Sequence, residues 1–148
     1  DAHPELGNNA RLAKLMGWQT EHTCGEQNLL HIGHLQQPQT AAQVAAQVAA
    51  KLGRTPTLIA PSDTPAKRIA WCTGGAQGFF QTAIDEGAQI YLTGEISEAQ
   101  YHLAHETGTA FIAAGHHATE RGGIRALAEA AGCEFGIPVC FFDEQNPA

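Results

Sequence analysis

Apolar residues recur at helical spacing from Ala41 through Val44, Ala45, Val48 and Ala49 to Leu52. This is the stripe of a helix with one buried face. Thr40 stands where a cap belongs and Gly53 where a helix stops. The many alanines predict close packing against a sheet. Before this helix, Asn8 or Asn9 can cap a short helix over 10–16, ended by Gly17. Residues 18–28 are polar and carry no clear period. The loosely alternating run Leu29–Leu35 predicts a strand, with His31 or His34 on its solvent side in a structural role.

After a short strand at 57–60 and a proline-bounded turn at 61–65, the pattern becomes regular. Strands are predicted at 68–72, 88–92, 110–114 and 137–142. Pro138 suits the last to a sheet edge or a strand start. Between them, helices are predicted at 79–84, from the Ser97–Gln100 capping box to about Thr107, and over 124–130. Four strands alternating with three helices predict an α/β fold, three-layered, with a mainly parallel sheet over 67–142. The chain divides into a linking segment, 1–66, and a βαβαβαβ segment, 67–148.

A length of 148 residues fits one domain with a substantial core. Fifteen acidic against eight basic residues give a net charge of −7, spread along the chain. That disfavours a nucleic-acid surface, which needs a basic stripe. No apolar run approaches a membrane span and no signal peptide is recognisable, so a cytoplasmic location is expected. Cys24, Cys72, Cys133 and Cys140 form no CxxC pair and are expected to be reduced, mostly buried thiols. The opening Asp1-Ala2-His3-Pro4 lacks Met and suggests the later part of a longer protein.

The candidate chemistry gathers where strands hand over to helices. Three successive parallel strands lead into Thr73-Gly74-Gly75, Thr93-Gly94-Glu95 and Gly115-His116-His117, and the carboxyl ends of such strands are where open α/β sheets bind ligands. If 116–120 form a first helical turn, His116 and Glu120 share a face and can close on one Zn, Mn or Fe ion. Equally, Glu120 can simply complement the helix dipole. Glu95 is a candidate catalytic acid or base, an outer-sphere carboxylate, or a dipole partner for the helix after it. The Thr73-Gly74-Gly75 turn either offers N–H groups to an anion or only makes a tight turn; it lacks the P-loop Gly-Lys ending. His102 and His105 fit a solvated helix face.

The segments Asp1–Asn9, Trp71–Gly75, Thr93–Glu98 and Gly115–Gly123, with the ending Asn146-Pro147-Ala148, together resemble the NIF-three-like, dinuclear-metal-centre family. Its members are often labelled GTP cyclohydrolase I type 2 homologues. The resemblance runs from residue 1 to residue 148 and covers roughly the last three fifths of a family member. It implies two intertwined α/β domains, a toroidal homohexamer and two divalent metal ions per subunit (Fe, Zn or Mn). It implies Asp1, His116 and Glu120 as metal ligands. The family's tandem His pair has no counterpart here, and His116-His117 is a different motif, so this chain alone is expected to bind metal weakly or singly. Two functions follow: a metal-dependent hydrolase of a nucleotide or phosphoester, or a non-catalytic ring-shaped scaffold that binds metal and partners.

Overall fold

The computed structural model describes residues 1–144 and 146–148. Its elements in chain order are α1 (Asn8–Met16), β1 (Gln19–Cys24), β2 (Leu30–Gln39), α2 (Ala41–Leu52), β3 (Thr57–Ile59), β4 (Ala66–Trp71), α3 (Phe80–Asp85), β5 (Ile90–Thr93), α4 (Glu98–Thr107), β6 (Ala110–Ala113) and α5 (His116–Phe135). One six-stranded sheet has the order β1-β2-β4-β5-β6-β3. The α/β class and its layers are as expected. Trp18, Leu35, Ile69, Trp71, Leu92 and Ile112 meet α1 and α2 on one face. Ile32, Ala70, Tyr91 and Phe111 meet α3 and α4 on the other.

Over the β4–α3–β5–α4–β6 stretch the strands are parallel, as the alternation predicts. The strands from the preceding segment pair antiparallel: β1 with β2, β2 with β4, and β3 with β6. β1 falls in the polar stretch that had no assignment. Its residues are mostly exposed, so an edge strand here carries no apolar period to read.

The expected strand at 137–142 does not form. The place beside β6 is taken by β3, on which the sheet ends. Residues 137–144 instead run irregularly and exposed along α5, with Arg125 stacked 3.9 Å over the Phe141 ring. The cysteine expectation changes with it: Cys72 is buried and Cys24 half-buried, but Cys133 and Cys140 are exposed. All four are free thiols, as expected. His31 is also buried, stacked on Trp71, while His34 lies half-exposed beside Glu21.

The Thr40 and Ser97 caps behave as read, but the asparagine cap does not form: α1 starts at Asn8, Gly7 holds its N-cap position without a side-chain bond, and Asn8 and Asn9 lie inside the helix with their side chains bonded elsewhere. Thr40–Gln43 and Ser97–Gln100 form reciprocal capping boxes, and Gly17, Gly53 and Gly108 end their helices in the left-handed conformation. Helix α5 is longer than the sequence suggests, running unbroken from His116 through Gly122-Gly123. Those glycines are the contact with α1. A Cβ at Gly122 would lie 3.0 Å from Arg11 Cβ, and Gly123 N donates to Asn8 Oδ1 at 2.6 Å.

Candidate metal centre at the strand ends

The loops after β4, β5 and β6 are tied into one platform. Gly94 N and Thr93 Oγ1 both donate to Gly74 O, at 2.8 and 3.0 Å. Gly115 N donates to Gly94 O at 2.9 Å. Thr119, buried in the first turn of α5, accepts from Gly74 N at 3.0 Å and donates to Gly115 O at 2.9 Å. Asn9, fully buried, pins the first segment to the same platform: Thr73 N donates to its Oδ1 at 2.8 Å, and its Nδ2 donates to Leu29 O at 3.1 Å. Sequence reading gave Asn9 only a capping role; burial of this amide lies in tertiary structure that no local pattern encodes.

On this platform the His116 ring stands between two carboxylates. Nδ1 lies 2.6 Å from Glu95 Oε1, and Nε2 lies 3.2 Å from Glu120 Oε2. A carboxylate only accepts, so Glu95 holds the proton on Nδ1 and leaves Nε2 directed at Glu120. The hydrogen bond to Glu95 raises the His116 pKa above its usual value, and the Glu120 charge adds to this against the effect of burial. The same bond lowers the Glu95 carboxyl.

Glycine makes the room. Gly74 has φ +71°, and a Cβ there would run into Glu120 Oε1 and lie 3.2 Å from His116 Nε2. A Cβ at Gly94 would lie 2.6 Å from Gly74 O and 2.7 Å from His116 Cα. Within the glycine-rich turn Gly74 N donates to Thr119 Oγ1 and Ala76 N to Thr93 Oγ1.

A cavity of about 410 Å³ opens beside the cluster, lined by His116, Glu120, Arg121, Ile124 and Phe142 among others. Its far wall is the chain's terminal segment. Asp143 is gripped by Arg121 at 2.7 Å and Arg125 at 3.1 Å, and Ala148 O accepts from Arg54 Nη1 at 2.8 Å. Arg54 and the Asp143 clasp escaped sequence reading, because their partners lie far along the chain. His102 and His105 are exposed on α4, as expected.

Asp1 is tied to the start of α1. Its Oδ1 accepts from Asn8 Nδ2 at 2.6 Å, and it lines a separate cavity with His3, Gly123, Ile124 and Leu127. The structure thus brings Glu95, His116 and Glu120 together, and Asp1 lines a neighbouring cavity that shares Ile124 with theirs. An imidazole nitrogen beside a carboxylate suits a borderline divalent cation.

A family model described as Duf34/NIF3 (NGG1p interacting factor 3) matches residues 1–147. The chain belongs to the Duf34/NIF3 family. Curated Duf34/NIF3 relatives named GTP cyclohydrolase 1 type 2 homolog include one from Neisseria meningitidis serogroup A, 64% identical over the whole chain and 59% of the relative. Another, from Pseudomonas aeruginosa, is 47% identical over the whole chain and 60% of the relative. The chain therefore spans about three fifths of their length. A solved structure described as protein ybgI of unknown function matches with a TM-score of 0.95 at 45% identity, over all of this chain and 60% of that one. TTHA1606 from Thermus thermophilus matches with a TM-score of 0.85 at 28% identity, over 99% of this chain and 58% of that one. The resemblance read from the motifs is borne out.

Proposed function

We propose that the protein is a metal-dependent hydrolase of a nucleotide or phosphoester, with His116 and Glu120 holding a divalent cation. The observation that carries this is the His116 ring fixed by Glu95 with its Nε2 turned toward Glu120, at the carboxyl ends of parallel strands. The full-length protein is proposed to hold two ions (Fe, Zn or Mn), Asp1 contributing with residues outside this chain. Such an ion supplies Lewis acidity and activates water for attack.

Glu95 is a positioning residue through Oε1, since a carboxylate behind a ligating imidazole fixes its tautomer and raises its basicity. Its Oε2, 3.4 Å from Gln77 Nε2, is the candidate acceptor for a proton from attacking water. Arg121 lines the cavity, with its guanidinium held by Asp143 and Leu52 O, and a phosphate would have to compete with Asp143 for it. Exposed Ile124, Leu127, Phe135 and Phe142 support burial in a homo-oligomer, proposed as a hexamer working in the cytoplasm. No helix among the described residues is long and apolar enough to cross a membrane.

The test is elemental analysis of the protein and of a His116→Ala/Glu120→Ala variant, followed by hydrolysis assays on nucleoside triphosphates and aryl phosphoesters. Metal held by the native protein and lost in the variant, with hydrolysis that needs added metal, is the expected result. Metal retained in the variant refutes the ligand assignment. Metal bound without turnover refutes the hydrolase and leaves a metal-binding scaffold.

A further inference from the structure

A second group of metal-ligating side chains lies at the β1 edge of the sheet. A ring nitrogen of His22, Cys24 Sγ and a carboxylate oxygen of Glu86 all sit within 4.8 Å of one another, and each residue is half-buried. His22 Nε2 is 3.0 Å from Glu86 Oε2. Three ligand atoms on a tetrahedral zinc-class ion, with bonds of about 2.0–2.3 Å, stand roughly 3.3–3.8 Å apart. To reach that spacing the His22–Glu86 pair opens slightly and any wider separation in the group closes.

The backbone holds these residues there. His22 and Cys24 are two apart on β1 and point to one face, opposite Ile32 and Leu30, which are buried on the α3 side of the sheet. The register slips between Thr20 and His22, a bulge that re-aims Glu21. Glu86 caps α3, its N–H on Thr82 O at 3.0 Å and its carbonyl receiving Arg68 Nε at 2.9 Å.

Neighbouring charges are already matched without the Glu86 carboxylate. Arg68 Nη1 lies 2.7 Å from Glu21 Oε2, and His34 Nε2 lies 2.9 Å from the same oxygen. Among the described residues the carboxylate of Glu86 meets only His22 as a possible cation. Burial and that carboxylate both push the Cys24 thiol up, so without a cation it stays protonated.

We propose that His22, Cys24 and Glu86 bind one zinc-class divalent cation, with a fourth position left to water or a ligand. The thiolate selects zinc-like ions over magnesium or calcium. Binding releases the Cys24 thiol proton to solvent, so affinity rises with pH. The site uses none of the residues at the strand ends and stands independently of the hydrolase reading.

Titration of the native protein with Co²⁺ under reducing conditions reads it directly, through the near-ultraviolet charge-transfer band of a thiolate–cobalt bond. One equivalent should raise the band, and Zn²⁺ should displace it. The band should vanish in Cys24→Ser and need about tenfold or more Co²⁺ in His22→Gln and Glu86→Gln. It should persist in a Cys133→Ser/Cys140→Ser variant and in His116→Ala/Glu120→Ala. A native protein without the band, a band that survives Cys24→Ser, or one lost with Cys133 and Cys140 overturns the proposal. Metal-free circular dichroism checks the fold of each variant; should Cys24→Ser misfold, the tenfold loss in Glu86→Gln decides.

Discussion

Replacing Gly74 by Ala separates the space around Glu120 from the backbone that surrounds it. Gly74 sits at φ +71°, and an added Cβ would run into Glu120 Oε1 and lie 2.9 Å from its Cδ. Gly108, at φ +75°, has nothing within 4 Å of the same added atom. Both substitutions carry the left-handed cost of about 1–2 kcal/mol, a fall in Tm of roughly 2–8 °C for a chain of this size. Only Gly74→Ala must also displace the Glu120 carboxylate. Its side chain is 31% exposed and its pairing with His116 is partly solvated, so moving it adds little to the loss of stability. It should instead weaken metal binding by about tenfold or more. The assay is paired: thermal melting of metal-free protein, and competition for metal against a chromophoric chelator. The two variants should melt together and differ in affinity. Native affinity in Gly74→Ala, or an equal loss in Gly108→Ala, would refute the placement of Glu120 as a ligand held by the Gly74 turn.

Three further outcomes follow from contacts already described. Asn9→Ala strands Thr73 N–H and Leu29 O in the core, which costs about 2–5 kcal/mol and should appear as a lower urea midpoint with an unchanged m-value. In metal-free protein, NMR should show His116 titrating above 6.5, returning toward it in Glu95→Gln. Because the folded pKa is raised, the stability contributed by His116 is complete below the unfolded value of 6.5 and is lost as pH rises through the folded value; that of Glu95, whose pKa is lowered, is present above 4.5 and lost as pH falls through its folded value. With a thiol reagent at mildly alkaline pH, Cys133 and Cys140 should react first. Cys72, buried and pushed up to about 11, should stay silent until unfolding, and early labelling there would contradict the packing of β4.

The sequence was most readable where side chains act on their own backbone. The Thr40 and Ser97 caps, the glycine stops and the three parallel strands all stand as their local chemistry indicates. His116 and Glu120 were legible because four residues is one helical turn. The pairing of Glu95 with His116 was not, since it depends on how far the β5 and β6 loops approach one another. Nor was β1, whose polar residues hide an edge strand. The apolar run 137–142 misled for the opposite reason: its composition suits a strand, but β3 takes the place beside β6, and Ile137, Val139 and Phe142 remain exposed. The Asp143 clasp is similarly tertiary, joining a carboxylate to arginines 22 and 18 positions earlier.

The seating of β3 beside β6 also imposes an order of assembly. β1 and β2 are neighbours in sequence and can pair as soon as both exist. β3 must wait, because Thr57–Ile59 matches Phe111–Ala113, and closing so long a loop is slow compared with forming a hairpin. The sheet therefore has a fast edge and a slow one. Three residues of strand hold the slow edge shut, against the same β6 that delivers the chain to His116. An early opening of β3 would release β6 from one side, so hydrogen exchange at Ile59 and Phe111, a pair on the β3–β6 ladder, should rise together ahead of the β4–β5 amides. The geometry of the strand-end cluster is then only as durable as this last and smallest strand.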